Sequence, residues 1–349
     1  MRWHNPSSPH AEGRAAREAL EQARDRIKRA LGWDGELIFT SGASEALAIA
    51  LGRSKRRVIV SAVEHDAVFR TVPQAEVLPV GAKAQVSRAA VEDVLRGRPP
   101  SLVAIQHINS ETGVEQPVGS LAETVRSAGG ILLSDCSQSA GKVPLPDADL
   151  IVVSAHKLGG PPGIGALLVR DLNMIEPTGG QEFGYRGGTQ NVPGALGFAA
   201  AVEALPMRSF AAVFPDSQPM VSWLGEMGHA ILDLEYPITS SGGIYQPGFS
   251  DSENAASFAG WIIALTMPNL SAAAQLIRFD AAGIAVSAGS ACSSGTLKSS
   301  RALAAFGIPD EEAARTIRVS FGWSTTGEEV DRFLETWLAM ASGRAVRAA

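Results

Sequence analysis

Short apolar runs and helical periods alternate along the first two hundred residues. Residues 15–31 are rich in Ala, Arg, Glu and Leu, all strong helix formers, and Gly32 stands where a C-terminal cap is expected. The apolar stretch 37–40 then reads as a strand, Ser41, Gly42, Ala43 and Ser44 as a tight turn, and 45–51 as a second helix. Strand, small-residue turn and helix in that order form half of a parallel α/β unit. Comparable buried-type strands recur at 58–61, 102–106, 131–134, 150–154 and 165–169, with helical stretches at 86–95 and 118–128 between them. The pattern predicts an α/β fold whose large domain is a mostly parallel sheet with helices on both faces.

The texture changes after residue 205. Residues 206–262 hold Pro215, Pro219, Pro237, Pro247 and a Ser-Ser-Gly-Gly turn at 240–243 with little periodicity, which predicts a domain boundary. A large domain over 1–205 and a smaller C-terminal domain over 206–349 follow. The smaller one reads as α+β: helix 272–279, strand 284–287, a Ser/Gly loop, helix 300–306, strand 316–320 and a closing helix over 326–340. No internal repeat is visible.

Length agrees with this division, since 349 residues at about 150 per domain give two cores. Apolar residues make up 45% and charged residues 19%, ordinary globular usage. Thirty Lys and Arg against 36 Asp and Glu leave a formal charge of -6 with no long run of one sign. That gives no electrostatic footprint for nucleic acid or an anionic membrane, and favours a small-molecule substrate. The longest apolar stretches, such as 192–202, fall well short of the ~20 residues that span a bilayer. No basic region followed by an apolar one opens the chain, so secretion is not expected. Cys136 and Cys292 are too few for a disulfide framework and fit a reducing cytoplasm. No metal is expected.

The densest chemistry lies in 149–165, where a hydrophobic strand delivers Ser154, His156 and Lys157 into a loop rich in Gly and Pro. A Lys fixed beside apolar surface and other cations has the lowered pKa an imine-forming amine needs. A lone Lys after a strand is usually only solvated, but its small and polar neighbours argue against that here. Asp135 ends another buried strand. It suits capping of a following helix or, paired with Lys157, holding a pyridinium nitrogen protonated. Ser41 to Ser44 before a helix suit a phosphate cradle, a weak signal by itself. His65 follows strand 58–61, where a surface or capping role is commoner than catalysis, although an imidazole there can stack on a cofactor ring. Cys292 sits in a run of small residues rather than among Leu, Ile and Val, which favours reactivity over packing. Arg318 is a charge inside an apolar strand and needs an anion, either a substrate carboxylate or an internal acid.

Together these segments resemble the cysteine desulfurases of the fold-type I pyridoxal phosphate enzymes, in the aminotransferase class V superfamily. The matching stretches are HNPSSPH (4–10), FTSGASEA (39–46), EHDAV (64–68), HINSETGV (107–114), SDCSQSAGK (134–142), SAHKLGGPPGIGAL (154–167), GGQEFGYRGGTQN (179–191), VSAGSACSSGTL (286–297) and TIRVSFGWSTT (316–326). The resemblance implies that Lys157 carries pyridoxal 5'-phosphate covalently, Asp135 pairs with the ring nitrogen, Gln138 bonds the ring hydroxyl and His65 stacks on the ring. It implies that Ala43, Ser44, Ser154 and His156 hold the phosphate, and that Thr189 reaches the phosphate of a partner subunit in a homodimer. Ser110 falls among the ring-contacting residues, Asn5 and Arg318 among those that bind substrate, and Cys292 is the nucleophile in the longer loop of the iron-sulfur-assembly branch.

The implied activity is desulfuration of L-cysteine to L-alanine, with a persulfide left on Cys292 for an acceptor protein in iron-sulfur assembly or tRNA thiolation. Rival readings are a class V aminotransferase, a selenocysteine lyase and a pyridoxal-binding protein without turnover. Three departures stand out. The family carries a further segment ahead of HNPSSPH, Ser110 replaces the second Asn of the usual NNETG, and Phe183 stands where the family often has Arg. Residues 206–262 show almost no resemblance.

Overall fold

A computed structural model describes residues 4–81, 84–205, 259–267, 269–289 and 300–343. Helix α1 (Ala11–Leu31) begins earlier than its run of helix formers predicts, because the His10 imidazole accepts the Gly13 N–H and caps it. Gly32 closes it at φ 66, the left-handed conformation that Gly adopts without strain. Ala16, Leu20, Ala23, Ile27 and Leu31 form its buried stripe at three- and four-residue spacing.

Seven strands follow: β1 (Glu36–Thr40), β2 (Arg57–Ser61), β3 (Glu76–Leu78), β4 (Ser101–Ala104), β5 (Ile131–Asp135), β6 (Leu150–Ser154) and β7 (Gly165–Val169). They form one sheet in the order β1-β7-β6-β5-β4-β2-β3. Helices α2 (Ala43–Ala50), α3 (Asp66–Thr71), α4 (Arg88–Leu95), α5 (Val118–Ser127) and α6 (Val192–Ala204) belong to the same part of the chain. The sheet is mostly parallel, as the sequence predicts, with β7 running against both β6 and β1. The reversal has a simple cause. Residues 155–164 are too few for the crossover a parallel return requires, so β6 and β7 form a hairpin.

Three elements escape the periodicity. Strand β3 is three residues long and carries exposed Val77, and α3 is shorter than any useful helical window. Helix α6 is apolar around most of its circumference, the mark of a helix packed on several sides, so it shows no polar face to count. Its N-cap is Asn191, and it packs on α1.

The chain divides into two compact units. The first holds residues 1–79, 86–108 and 116–207, and the second holds 80–85, 109–115 and 208–349. Within the second, β8 (Ile262–Thr266), β9 (Ser287–Ala288) and β10 (Thr316–Ser320) make an antiparallel sheet in the order β8-β10-β9. The strand predicted over 284–287 is corrected to Ser287–Ala288, where Ala288 pairs with Ile317. Strand β8 was hidden behind the proline-rich stretch before it. Helices α7 (Ala272–Ala281), α8 (Arg301–Ala305), α9 (Asp310–Ala313) and α10 (Gly327–Ala341) complete the unit. Its core joins Ile263, Leu265, Phe279, Ile317, Phe333 and Trp337. Phe279 and Phe333 stack with ring centroids 5.2 Å apart.

Candidate active site

Strands β1, β2, β4, β5 and β6 run the same way, so their C-terminal ends share one edge of the sheet, the usual ligand position in open α/β sheets. Asp135 ends β5 and is 8% exposed. No helix follows it, which corrects the capping alternative. Instead Oδ1 accepts the Ser137 N–H at 2.9 Å in a tight turn. Its Oδ2 bonds to no described residue. Neither does the half-buried side chain of Gln138.

His65 follows β2 and caps α3: Nδ1 accepts the Ala67 N–H at 3.1 Å. That bond leaves Nδ1 unprotonated and puts the proton of the neutral ring on Nε2. Burial lowers the affinity of His65 for a second proton, with Lys157 and Arg70 adding to it and the carboxylates of Asp135 and Asp66 opposing. His65 therefore feels both Asp135 and Lys157. Lys157 is exposed, in a single 3-10 turn (Ala155–Leu158) closed by Gly159 at φ 86. Its charge also acts on Lys142, which burial first and Lys157 second bring down to about 8, and on His156, lowered by burial and then Lys157.

Helix α2 starts at Gly42, whose φ of 150 only Gly takes readily, and has no side-chain cap. The first-turn amides of Ala43 and Ser44 are thus open toward an anion. Gly165 at the start of β7 permits this arrangement. A Cβ there would stand 2.6 Å from the Val153 carbonyl and 2.8 Å from Gly42 Cα. Ser154 Oγ lies 3.0 Å from His156 Nδ1. Glu45 in the first turn is already engaged, its Oε2 accepting the Ser41 N–H at 2.5 Å and Arg186 Nε at 3.1 Å. Burial raises its proton affinity, but those two donors outweigh burial and hold it below the ordinary carboxylate value.

Thr189 is exposed on the segment 181–191. That segment is anchored by Glu182, buried against Arg24 with Nη1 to Oε2 at 2.8 Å, and Phe183 lays its ring 4.9 Å from the same guanidinium. Glu182 and Phe183 both adopt positive φ, 50 and 58. The sequence reading missed Arg24 and Glu182. The available signal was a charge at position 24 inside the apolar stripe of α1. Asn5 is exposed, its Oδ1 accepting the Ser7 N–H, and Ser7 Oγ donates to Gln181 at 3.2 Å.

In the second unit, Arg318 on β10 donates to the Ser110 carbonyl at 3.2 Å and to Ser287 Oγ at 3.1 Å. Ser110 thus meets Arg318 through its backbone. Cys292 lies outside the described residues. Among those residues, no three metal-ligating side chains gather, and no helix is long and apolar enough to cross a membrane.

A family model described as aminotransferase class-V matches residues 3–333. The chain belongs to that family. This class V chain is 32% identical to a cysteine desulfurase, IscS 1, of Archaeoglobus fulgidus over 95% of its own length and 88% of the relative's. It is 34% identical to a mitochondrial cysteine desulfurase of Drosophila melanogaster, covering 94% of the chain and 72% of that protein. Among solved structures it is similar to a NifS-like protein, with a TM-score of 0.80, 27% identity, and coverage of 98% of this chain and 92% of the other. It is also similar to SspA, solved in complex with cysteine, with a TM-score of 0.70, 28% identity and 91% coverage of each chain.

Proposed function

We propose that this class V chain is a pyridoxal 5'-phosphate-dependent cysteine desulfurase acting on L-cysteine as a homodimer in a reducing, cytoplasmic compartment. The observation that carries the reading is that His65, Asp135 and Lys157 stand at the C-terminal ends of three strands of one sheet that run the same way, β2, β5 and β6. The residues fit the cofactor. Lys157 offers an accessible amine and Asp135 an open Oδ2 for a cationic ring nitrogen. Gln138 has unused hydrogen-bonding groups for a ring hydroxyl, and the uncapped start of α2 suits a phosphate. When bound, the cofactor withdraws electron density from the substrate Cα and so weakens its C–H bond.

The chain's own groups do the rest. The open amides of Ala43 and Ser44, with Ser154 and His156, hold the phosphate and fix its orientation. Asp135 keeps the ring nitrogen protonated. Neutral His65, with its proton on Nε2, would stack on the bound ring without adding a charge that opposes Asp135. The Lys157 amine takes the Cα proton. Arg318 is the guanidinium that clamps the substrate carboxylate, with Asn5 as a second substrate contact. The Cys292 thiolate attacks the substrate sulfur, forming an S–S bond as the C–S bond breaks. The bonding pair stays with carbon and is protonated, so alanine leaves and Cys292 keeps the sulfur for a protein acceptor. Thr189 belongs in this reading to the phosphate site of a second copy, residues 1–205 to the cofactor domain, and 206–349 to the domain carrying Cys292.

The test joins three measurements on the purified chain. Pyridoxal phosphate should produce an absorbance band near the visible edge, borohydride should trap the adduct on Lys157, and L-cysteine with a reductant should yield sulfide and alanine. Cys292→Ala should abolish persulfide formation while keeping the band. A colourless protein, an adduct on another residue, or undiminished sulfide release from Cys292→Ala would overturn the reading.

A further inference from the structure

Glu64 precedes His65 and is 3% exposed. A carboxylate so buried loses its hydration and needs protein donors or a cation in exchange. It has one donor. Oε1 accepts the Gln106 N–H at 2.6 Å, whereas Oε2 is buried with no hydrogen-bond partner. No cation among the described residues pairs with it, and the neighbouring charge that acts on it is the negative one of Asp135. Burial pushes its proton affinity well above the ordinary carboxylate value and Asp135 adds to this, against the Gln106 amide. A neutral acid removes the buried charge, with one oxygen accepting from Gln106 and the other carrying the proton.

Its neighbours give this acid a mechanical role. The Gln106 side chain returns a hydrogen bond from Nε2 to the Val63 carbonyl, so Glu64 and Gln106 cross-link the segments that follow β2 and β4. The next residue, His107, donates its N–H to the Asp135 carbonyl at 3.0 Å. Three adjacent strand ends are tied in series, with His65 at one end and Asp135 at the other. We propose that Glu64, through its hydrogen bond from Gln106, is the positioning residue that fixes His65 and Asp135 against each other at these strand ends. Its neutrality matters for Asp135 as well. An ionised Glu64 would set a second anion beside Asp135 and compete for the proton meant for a ring nitrogen. The positioning role rests on the reading of Lys157, Asp135 and His65 as a cofactor site.

The experiment compares wild type with Glu64→Gln, Glu64→Asp and Glu64→Ala in the full chain. Infrared difference spectra of wild type minus Glu64→Gln at neutral pH should show a carboxylic-acid C=O stretch, with or without cofactor. Glu64→Gln, which copies the neutral acid, should bind pyridoxal phosphate within about twofold of wild type and keep its absorbance maximum. Glu64→Asp is too short to hold Gln106, and it and Glu64→Ala should bind roughly tenfold more weakly with a shifted maximum. If Glu64→Ala does not fold, Gln against Asp decides. An absent acid band, Glu64→Gln as weak as Glu64→Asp, or Glu64→Asp indistinguishable from wild type overturns the proposal. A wild type that takes up no pyridoxal phosphate sinks the functional reading and the positioning role with it, whereas the infrared band still reports the protonation state independently.

Discussion

Glu182 Oε2 accepts two hydrogen bonds at 2.8 Å, one from Arg24 Nη1 and one from the Phe39 N–H, and thereby joins α1, β1 and the 181–191 segment. The side chains of Arg24 and Glu182 are only 5% and 0% exposed. Removing one partner strands the other's charge in a dry site. Glu182→Leu should therefore cost about 3–5 kcal/mol in chemical denaturation. The paired variant Arg24→Met with Glu182→Leu should recover most of that loss. A double variant as unstable as the single would show that the ion pair is not the source.

Lys142 is 7% exposed, and burial brings the pKa of its ammonium down to about 8 from the ordinary 10.5. Between these values the unfolded chain holds a proton that the folded one has released, so Lys142 makes folding more stable as pH rises from about 8 to 10.5. Cys136 acts in the opposite sense above the ordinary thiol value of 9.0, because burial pushes its thiol up to about 12 and the folded state keeps that proton. Comparison with Lys142→Met isolates the lysine. The wild type should gain roughly 3 kcal/mol relative to the variant across that interval. Parallel stability curves for the two proteins over pH 8 to 10.5 would contradict the assignment.

Gly165→Ala should cost about 1–3 kcal/mol and weaken pyridoxal phosphate binding, because the new methyl collides with backbone at Val153 and Gly42 and displaces the start of α2. Thermal unfolding and cofactor titration read the two effects separately. An unchanged affinity would show that the first turn of α2 does not hold the anion.

Cys136 has no exposed surface, and its raised pKa leaves almost no thiolate at neutral pH. A thiol reagent applied to the native protein should mark Cys292 and spare Cys136, which reacts only after denaturation. Peptide mapping checks this. Rapid native labelling of Cys136 would contradict its burial.

Much of the first unit was legible because its strands are apolar runs of four or five residues bounded by Gly, Ser and Pro. Lys157, Asp135 and His65 stood out because each follows such a run. The direction of β7 was not in the hydrophobic pattern, but the length of 155–164 carried it. Arg24 and Glu182 lie 158 residues apart, and no local period links an acid in a turn to a base in a helix so distant. Glu64 was visible only as a polar letter beside His65. Its burial depends on β4 and β5 packing alongside, which a linear reading does not supply.

The reversed strand β7 has a last consequence for Lys157. Paired positions run from Leu150 opposite Val169 to Ser154 opposite Gly165, so the two stems flanking the lysine are stitched together up to its base. The main chain at the root of Lys157 is clamped, so where its amine can lie is set by four methylenes rather than by drift of the backbone.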